Sequence, residues 1–586
     1  YFIMHSILEA VDVSFEYKLK NSKPIEALKN VSLKIEEGEF IALIGRNGSG
    51  KTTLVRLFNG LLHPSSGKVF VDGMDASNPS NFHAICTVVG MVFQNPNDQI
   101  FASVVEEDIA FGPSNLGLPP HEIRRRVDDA IRQTNVEHLK LRNTFLLSVG
   151  ETQRVALAGV LAMRPRCLIF DETTAMLDPL TRKRVLRFAS ELYQSGFTIV
   201  LITHLMEEAA MAQRVIALYK GKVVLDGLPE QVFADRARLN SIGLDLPPAA
   251  DLADHLRLVF PELPHNILKP QDLFSNLPAF HKKTGYLKQI LNPPPKKARR
   301  ACVIKTNGLA HIYMRNTPLS HQALKDVSLS VESGNIMGLV GATGSGKSTL
   351  LQHFNGLLRP QKGDVNVAGF DLNDAETNVM DLRRKVGLVF QTPEEQFFQY
   401  YVGDEIAYGP SKLGHTGSLR DVVKDAMRVV DLDYFKFKDR PLTLLSGGER
   451  RRVALASFLA IKPEILLLDE PFAGLDPQNH INMINVMQAL NKSGKTIVLS
   501  THNMRDLSAF ADQVTVLHKG EDVFRGYPIE LFTKEKEVLS WGLVSPLINQ
   551  TVNELCRKGW SLALETLSTE TLVAEVKKLK ESAYGG

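Results

Sequence analysis

Two adjacent acids, Asp469 and Glu470, close an apolar run, Ile465-Leu466-Leu467-Leu468. Such a run reads as a buried strand that delivers both acids to the carboxyl edge of an α/β sheet, where open sheets bind ligands. Paired carboxylates there suit a metal–phosphate site. The first, Asp469, would hold Mg²⁺, often through water, and Glu470 would polarise an attacking water. Just ahead, Ser446-Gly447-Gly448-Glu449 is a glycine-rich turn entering a helix expected over Arg450 to Ala460, whose N-terminus can face an anion. Pro471 to Asp476 makes a turn. The run from Leu146 to Pro179 repeats all of this with changes, placing Asp171 298 residues before Asp469 and Ser148-Val149-Gly150-Glu151 where the other copy has Ser446 to Glu449.

The elements that must position these acids come earlier in each copy. Ile41-Ala42-Leu43-Ile44 reads as a buried strand leading into Gly45-Arg46-Asn47-Gly48-Ser49-Gly50-Lys51-Thr52, with Thr53 following. This satisfies GxxxxGK[ST] between strand and helix: the glycines let N–H groups curl around phosphate, Lys51 meets the β/γ-phosphates and the Thr52 hydroxyl binds Mg²⁺. Gly341-Ala342-Thr343-Gly344-Ser345-Gly346-Lys347-Ser348, with Thr349 next, is a second complete copy. Lys347 follows Lys51 by 296 residues and His502 follows His204 by 298. Strands are expected over Val88 to Phe93 and Val386 to Phe390, ending at Gln94 and Gln391. Others over Phe197 to Ile202 and Thr496 to Ser500 lead to Thr203-His204 and Thr501-His502.

The paired runs resemble the signature, Walker B and D-loop of the ATP-binding cassette (ABC) family. The resemblance implies a fold class of two tandem P-loop NTPase domains, α/β, each with a RecA-like core, an antiparallel β subdomain and a helical subdomain. Small appended elements follow each domain. It implies ATP and Mg²⁺ as ligands, with Asp171 and Asp469 as metal carboxylates beside Thr52, Ser348, Gln94 and Gln391. Glu172 and Glu470 become the residues that activate water, and Gln94 and Gln391 also sense it. His204 and His502 touch the γ-phosphate. Tyr17 and Tyr313 resemble the aromatic that stacks on adenine, an ordinary core tyrosine being the other reading of Tyr17. In this family two cassettes meet head to tail. Site one would join Tyr17, Gly45–Thr52, Gln94, Asp171, Glu172 and His204 to Ser446, Gly447, Gly448 and Glu449. Site two would join Tyr313, Gly341–Ser348, Gln391, Asp469, Glu470 and His502 to Ser148, Gly150 and Glu151. Valine at Val149 adds a branched Cβ and resists φ > 0, so site two is expected to be the slower. Thr173 and Met176 also replace Pro471 and Gly474 in the first D-loop.

Composition narrows the class. A formal net charge of +3 on 586 residues implies no strong nucleic-acid or anionic-membrane field. Four scattered cysteines without a CxxC pair argue against disulfides, zinc or an iron–sulfur cluster, and fit a reducing cytosol. No apolar run approaches the ~18 residues of a membrane helix, so any membrane role comes through partners. Four segments are expected: residues 6–236, the first cassette; 237–300, an appended helical element opening near Gly243 and then a proline-rich linker closing with Lys296-Lys297-Ala298-Arg299-Arg300; 301–533, the second cassette; and 534–586, a second appended element. In the last, Ser545 would cap a helix with Pro546 in its first turn.

After Gln94 come Asn95 to Phe101 and the acidic Glu106-Glu107-Asp108, matched by Thr392 to Phe398 and Asp404-Glu405. This patch resembles the ATPases of energy-coupling-factor and cobalt/nickel importers, where it lines the groove for a coupling helix. The implied function is ATP hydrolysis driving import of a vitamin, vitamin precursor or transition-metal ion. The implied partners are a membrane scaffold and a substrate-binding membrane subunit, at the cytoplasmic face of the membrane, with no nucleic acid. A tandem ABC factor acting on ribosomes or nucleic acid, and the fused ATPase of a sugar importer, are the alternatives.

Overall fold

The computed structural model describes residues 6–18, 24–175, 177–280, 300–317, 320–562 and 568–584. Met176, Pro293 to Pro295, Lys296 and Lys297 lie outside them. The chain folds as two compact units. The first is Tyr1–Leu177, Thr181–Asp254 and Pro264–Ser275; the second is Asp178–Leu180, His255–Leu263 and Asn276–Gly586.

In the first unit β1 (Ser6–Tyr17), β2 (Ile25–Glu36), β4 (Ser66–Val71) and β5 (Met74–Asp75) form an antiparallel sheet in the order β2-β1-β4-β5. A six-stranded sheet runs β10-β9-β3-β8-β7-β6, where β3 is Phe40–Ile44, β6 Val89–Val92, β7 Cys167–Asp171, β8 Thr198–Ile202, β9 Arg214–Tyr219 and β10 Lys222–Gly227. All but the edge strand β10 are parallel. Both faces of this sheet are covered, which is why its strands read as unbroken apolar runs. Leu168 and Phe170 face one core with the helices Val105–Asn115, Pro120–Gln133 and Val149–Ala162. Cys167 and Ile169 face the other core, with the antiparallel sheet.

The second unit repeats the plan. Its antiparallel sheet runs β12-β11-β15-β16, with β13 also on β11: β11 Cys302–Tyr313, β12 His321–Val327, β13 Ser330–Glu332, β15 Lys362–Val367 and β16 Phe370–Asp371. The mixed sheet runs β17-β18-β19-β14-β20-β21, from β14 Ile336–Val340, β17 Val386–Val389, β18 Ile465–Asp469, β19 Thr496–Thr501, β20 Gln513–His518 and β21 Glu521–Gly526. The expected strands are all present, one or two residues shorter or longer at their ends.

The appended elements are helical. In the first unit, helix Arg236–Ser241 turns at left-handed Gly243 into helix Pro248–Leu256, and Arg236 pairs with Asp251 and Asp254 at 2.8 Å each. Residues 261–280 are not plain linker, since Pro270–Asn276 is a further helix. In the second unit, left-handed Gly542 leads into helix Leu547–Arg557. Ser545 does not cap this helix: Pro546 takes the N-cap position and the Ser545 hydroxyl is buried without a hydrogen-bond partner. The second unit also gathers Phe260 and Phe280 around buried Trp560, at ring separations of 5.2 and 4.6 Å. Trp560 Nε1 donates to Pro278 O (2.9 Å), Lys558 Nζ to Leu277 O (2.7 Å) and Phe280 N to Lys558 O (2.8 Å). Among the described residues no helix is long and apolar enough to cross a membrane.

Candidate active sites

The loop after β3 is shaped by backbone that only glycine adopts freely. Gly48 and Gly50 have φ of 77° and 106°, and a Cβ on Gly50 would meet Ala27 O at 2.6 Å. Gly344 and Gly346 repeat this, the latter facing Ala323 O at 2.6 Å. Each loop opens a helix, Lys51–Phe58 or Lys347–Phe354. The helix-start lysines lie across their loops: Lys51 Nζ donates to Gly45 O (2.7 Å) and Arg46 O (3.2 Å), Lys347 Nζ to Gly341 O (2.8 Å) and Ala342 O (3.2 Å). The hydroxyls of Ser49 and Ser345 are buried inside the loops with no partner. Orphaned donors in a cradle of N–H groups at a helix start fit a polyphosphate. In each unit the appended element reaches this loop: a Cβ on Gly243 would meet the Arg46 side chain at 2.5 Å, and one on Gly542 the Ala342 Cβ at 3.1 Å.

β7 and β18 bring the carboxylates to the same edge. Thr52 donates to Asp171 Oδ1 at 3.1 Å; Ser348 and Ser500 both donate to Asp469. Burial pushes the Asp171 carboxyl up to about 6, with Glu172 adding and Thr52 opposing; burial raises Asp469 likewise. A hydroxyl beside a carboxylate that burial destabilises is a hard-oxygen donor set, which suits Mg²⁺ shared with phosphate.

The following glutamates are held differently. Glu172 and Glu470 sit in the left-handed region, at φ 49° and 47°. That conformation is costly outside glycine and clusters at functional sites. Burial would raise both carboxyls. For Glu172 the imidazole of His204 and the ammonium of Lys51 outweigh it, and for Glu470 those of His502 and Lys347, leaving both low. Gln94 Nε2 donates to Glu172 Oε2 at 3.1 Å, with Lys51 Nζ at 3.5 Å and His204 Nδ1 at 3.7 Å. In the second unit His502 Nδ1 is 3.0 Å from Glu470 Oε1 and Lys347 Nζ 3.7 Å, and no hydrogen bond joins the Gln391 side chain to Glu470 among the described residues. Tyr17 OH is 3.1 Å from Thr53 Oγ1 and Tyr313 OH 3.2 Å from Thr349 Oγ1, so each ring stands beside its loop, about a third exposed.

The glycine-rich turns differ from expectation. Ser148 and Ser446 cap helices that begin at Val149 and Gly447, not at Arg450, and each closes a capping box with Glu151 or Glu449. Val149 and Gly447 are the first helical residues, and neither has positive φ. Valine's resistance to φ > 0 therefore has no bearing at Val149, contrary to the expectation from its sequence. A Cβ on Gly447 would meet nothing within 4 Å, so valine is accommodated locally. The acidic patch is also not uniformly free: Asp108 is buried, its Oδ1 accepting from Phe101 N (2.7 Å) and Ala102 N (2.9 Å). Glu405 does the same for Phe398 N and Gln399 N. Glu106 lies 3.3 Å from Lys140, and Glu107 is exposed.

Sequence reasoning missed two neighbours of the second loop. His311 packs edge-on against Tyr313, at 4.7 Å, and against fully buried His353, at 4.9 Å. His353 Nδ1 bonds Thr349 O at 2.8 Å. The first unit has Phe15 and Leu57 at these places. Both histidines were visible in the sequence, but nothing in their spacing joins them.

The family model described as ABC transporter matches residues 28–175 and 324–473, once over each loop-and-carboxylate set. The chain belongs to the ABC transporter family. It is a tandem ABC cassette protein and an ATPase, binding ATP with Mg²⁺. A protein of Caldanaerobacter subterraneus subsp. tengcongensis, provisionally named an ABC transporter ATP-binding protein, is 34% identical over 93% of this chain and 95% of its own length. Energy-coupling factor transporter ATP-binding protein EcfA1 of Clostridium novyi is 47% identical over 43% of this chain and 90% of its own. A solved structure of cbiO1 from Clostridium perfringens, titled as part of the ABC transporter complex cbiONQ, is 37% identical over 43% of this chain and 99% of its own, with a TM-score of 0.37.

Proposed function

We propose that this ABC ATPase powers an energy-coupling-factor-type importer, binding a membrane scaffold from the cytoplasmic face and driving uptake of a small molecule chosen by a separate membrane subunit. The observation that carries the reading is the 47% identity of one cassette to EcfA1, a transporter subunit by name. The surface beyond Gln94 and Gln391 supports it. Exposed Phe101 stacks on Phe111 at 5.3 Å, and exposed Phe398 on Tyr408 at 5.4 Å, in matching places of the two units. Exposed loop aromatics stacked on a neighbouring helix, beside a loop pinned by a buried carboxylate, suit an amphipathic helix of a partner.

Site residues take these roles. Lys51 and Lys347 leave their glutamates for phosphate, and the Ser49, Ser345, Asn47 and Thr343 loops donate around it. Thr52 with Asp171, and Ser348 with Asp469, would hold Mg²⁺, which would supply neutralisation of the phosphate charge. Glu172 and Glu470, kept ionised and aimed by Gln94 or His502, orient and polarise the attacking water. Ser148 and Ser446, each opening a helix, complete the opposite cassette's site in a head-to-tail pairing. Purifying the tagged chain from a detergent extract of its own membranes tests the reading: a small polytopic scaffold should co-purify in stoichiometric amount. Recovery of ribosomal proteins in its place would sink it.

A further inference from the structure

One buried cation in the second unit ties together three parts that the first unit joins through two separate side chains. Arg451 lies on the helix Gly447–Leu459 and is 7% exposed. Its Nη1 donates to Glu470 O at 3.2 Å and Pro471 O at 3.1 Å, and its Nη2 to Gln391 O at 3.3 Å. One guanidinium therefore spans three things: the helix that starts behind Ser446, the turn that holds Glu470 left-handed, and the loop that opens at Gln391. The equivalent residue of the first unit is Gln153, whose amide reaches Thr173 O and no other partner among the described residues. Arginine suits the task because its donors sit in a rigid, permanently charged fork, so one side chain fixes several carbonyls in one geometry.

We propose that Arg451 is a positioning residue for hydrolysis at Glu470, locking the Glu470 turn and the Gln391 loop to the helix that starts at Ser446. The proposal rests on Glu470 being the water-activating carboxylate. The units differ in how that carboxylate is aimed. Glu172 is gripped by the Gln94 side chain, whereas Gln391 makes no such bond to Glu470, and its backbone is fastened through Arg451 instead. A displacement of the signature helix is then carried to the Glu470 turn and the Gln391 loop at once, while in the first unit the Gln153 bond reaches the turn at Thr173 without the loop. In the second unit one side chain therefore carries helix, turn and loop together, whereas in the first Gln153 joins helix to turn and Gln94 joins loop to carboxylate.

The test uses the full chain carrying Glu172→Gln, which leaves Glu470 as the water-activating residue. Single-turnover hydrolysis, KM for ATP and thermal stability are measured for R451M, R451Q and R451K. R451Q installs the residue that the first unit carries at the equivalent place, and R451K keeps the charge should the others fold poorly. Misplacing a reacting group by about 1 Å can cost on the order of 10²-fold. The expected result is a kcat loss of about 10- to 100-fold in R451M and R451Q with KM within about twofold, and partial recovery in R451K. A kcat within about twofold of the parent in R451M overturns the proposal. So does a loss that follows a rise in KM and a fall in stability, since that marks a purely structural arginine. If Glu172→Gln/Glu470→Gln itself turns over at the wild-type rate, the assignment of Glu470 fails, and the proposal with it.

Discussion

The two water-activating candidates share a backbone and differ in company. Both are left-handed glutamates, yet Glu172 is aimed by an amide and Glu470 by an imidazole. Glu172→Gln and Glu470→Gln should each slow steady-state hydrolysis strongly, within the ~10²–10⁴-fold range of general-base help, while equilibrium ATP binding stays intact. Near-wild-type turnover in the double variant would remove both residues from the chemistry. Val149→Gly, measured in the Glu172→Gln background, should raise the rate by less than about tenfold. The valine backbone is already helical, so glycine there restores no backbone donor, and a gain of the ~10²–10³-fold typical of a lost donor is not expected. His353 gives a pH test. Burial holds its imidazole down at about 4, so the folded chain binds fewer protons than the unfolded chain, whose histidines titrate near 6.5. Its contribution is complete above about pH 6.5 and is lost as pH falls towards 4, by about 2 kcal/mol at pH 5. Melting curves between pH 7 and 5 should flatten in His353→Leu, the residue that the first unit carries at Leu57. The glycine loops, acid pairs and strand-end histidines were legible because each sits in a short run recognisable from its neighbours in sequence. The left-handed glutamates and the His311–His353 contact were not, because tertiary packing alone creates them.

Among elements, the acidic helix start shows how one pattern serves two purposes. Asp108 and Glu405 are buried clamps on the two N–H groups of the preceding loop, and Glu107 is on the surface. Asp108→Ala should therefore lower stability, by about 1–3 kcal/mol for a buried carboxylate lost from two half-buried donors, and disturb the Phe101–Phe111 stack. Glu107→Lys should leave melting unchanged and weaken scaffold capture instead. Full capture by Glu107→Lys at moderate salt would show that the carboxylate lies outside the interface. Strand positions were readable from apolar runs, since both faces of each central sheet are covered. Helix starts were less so. The sequence pointed to a helix from Arg450, but Ser446 caps one that begins three residues earlier, because a glycine at the first helical position breaks the apolar periodicity without breaking the helix. Ser545 and Pro546 failed for a related reason. The turn at Gly542 carries the chain in so that the serine hydroxyl points into protein rather than to the helix.

For the whole molecule, duplication was the most legible property, because nearly constant offsets over the entire motif set leave no other explanation. What the duplication hides is divergence in the supporting residues: Arg451 against Gln153, His311 and His353 against Phe15 and Leu57. The join between the copies has a consequence of its own. Leu277, Pro278 and Phe280, ahead of the second cassette, are fastened to Lys558 and Trp560 near the chain's far end. The second unit therefore takes in chain from both sides of residues 281–299. A backbone cut between residues 281 and 299 would leave that fastening whole, so the chain could be supplied as two polypeptides, each bearing one cassette, that find each other without a covalent tether. Co-expressed halves should co-elute, and Trp560→Ala, removing a buried indole at a cost of about 3–5 kcal/mol, should part them.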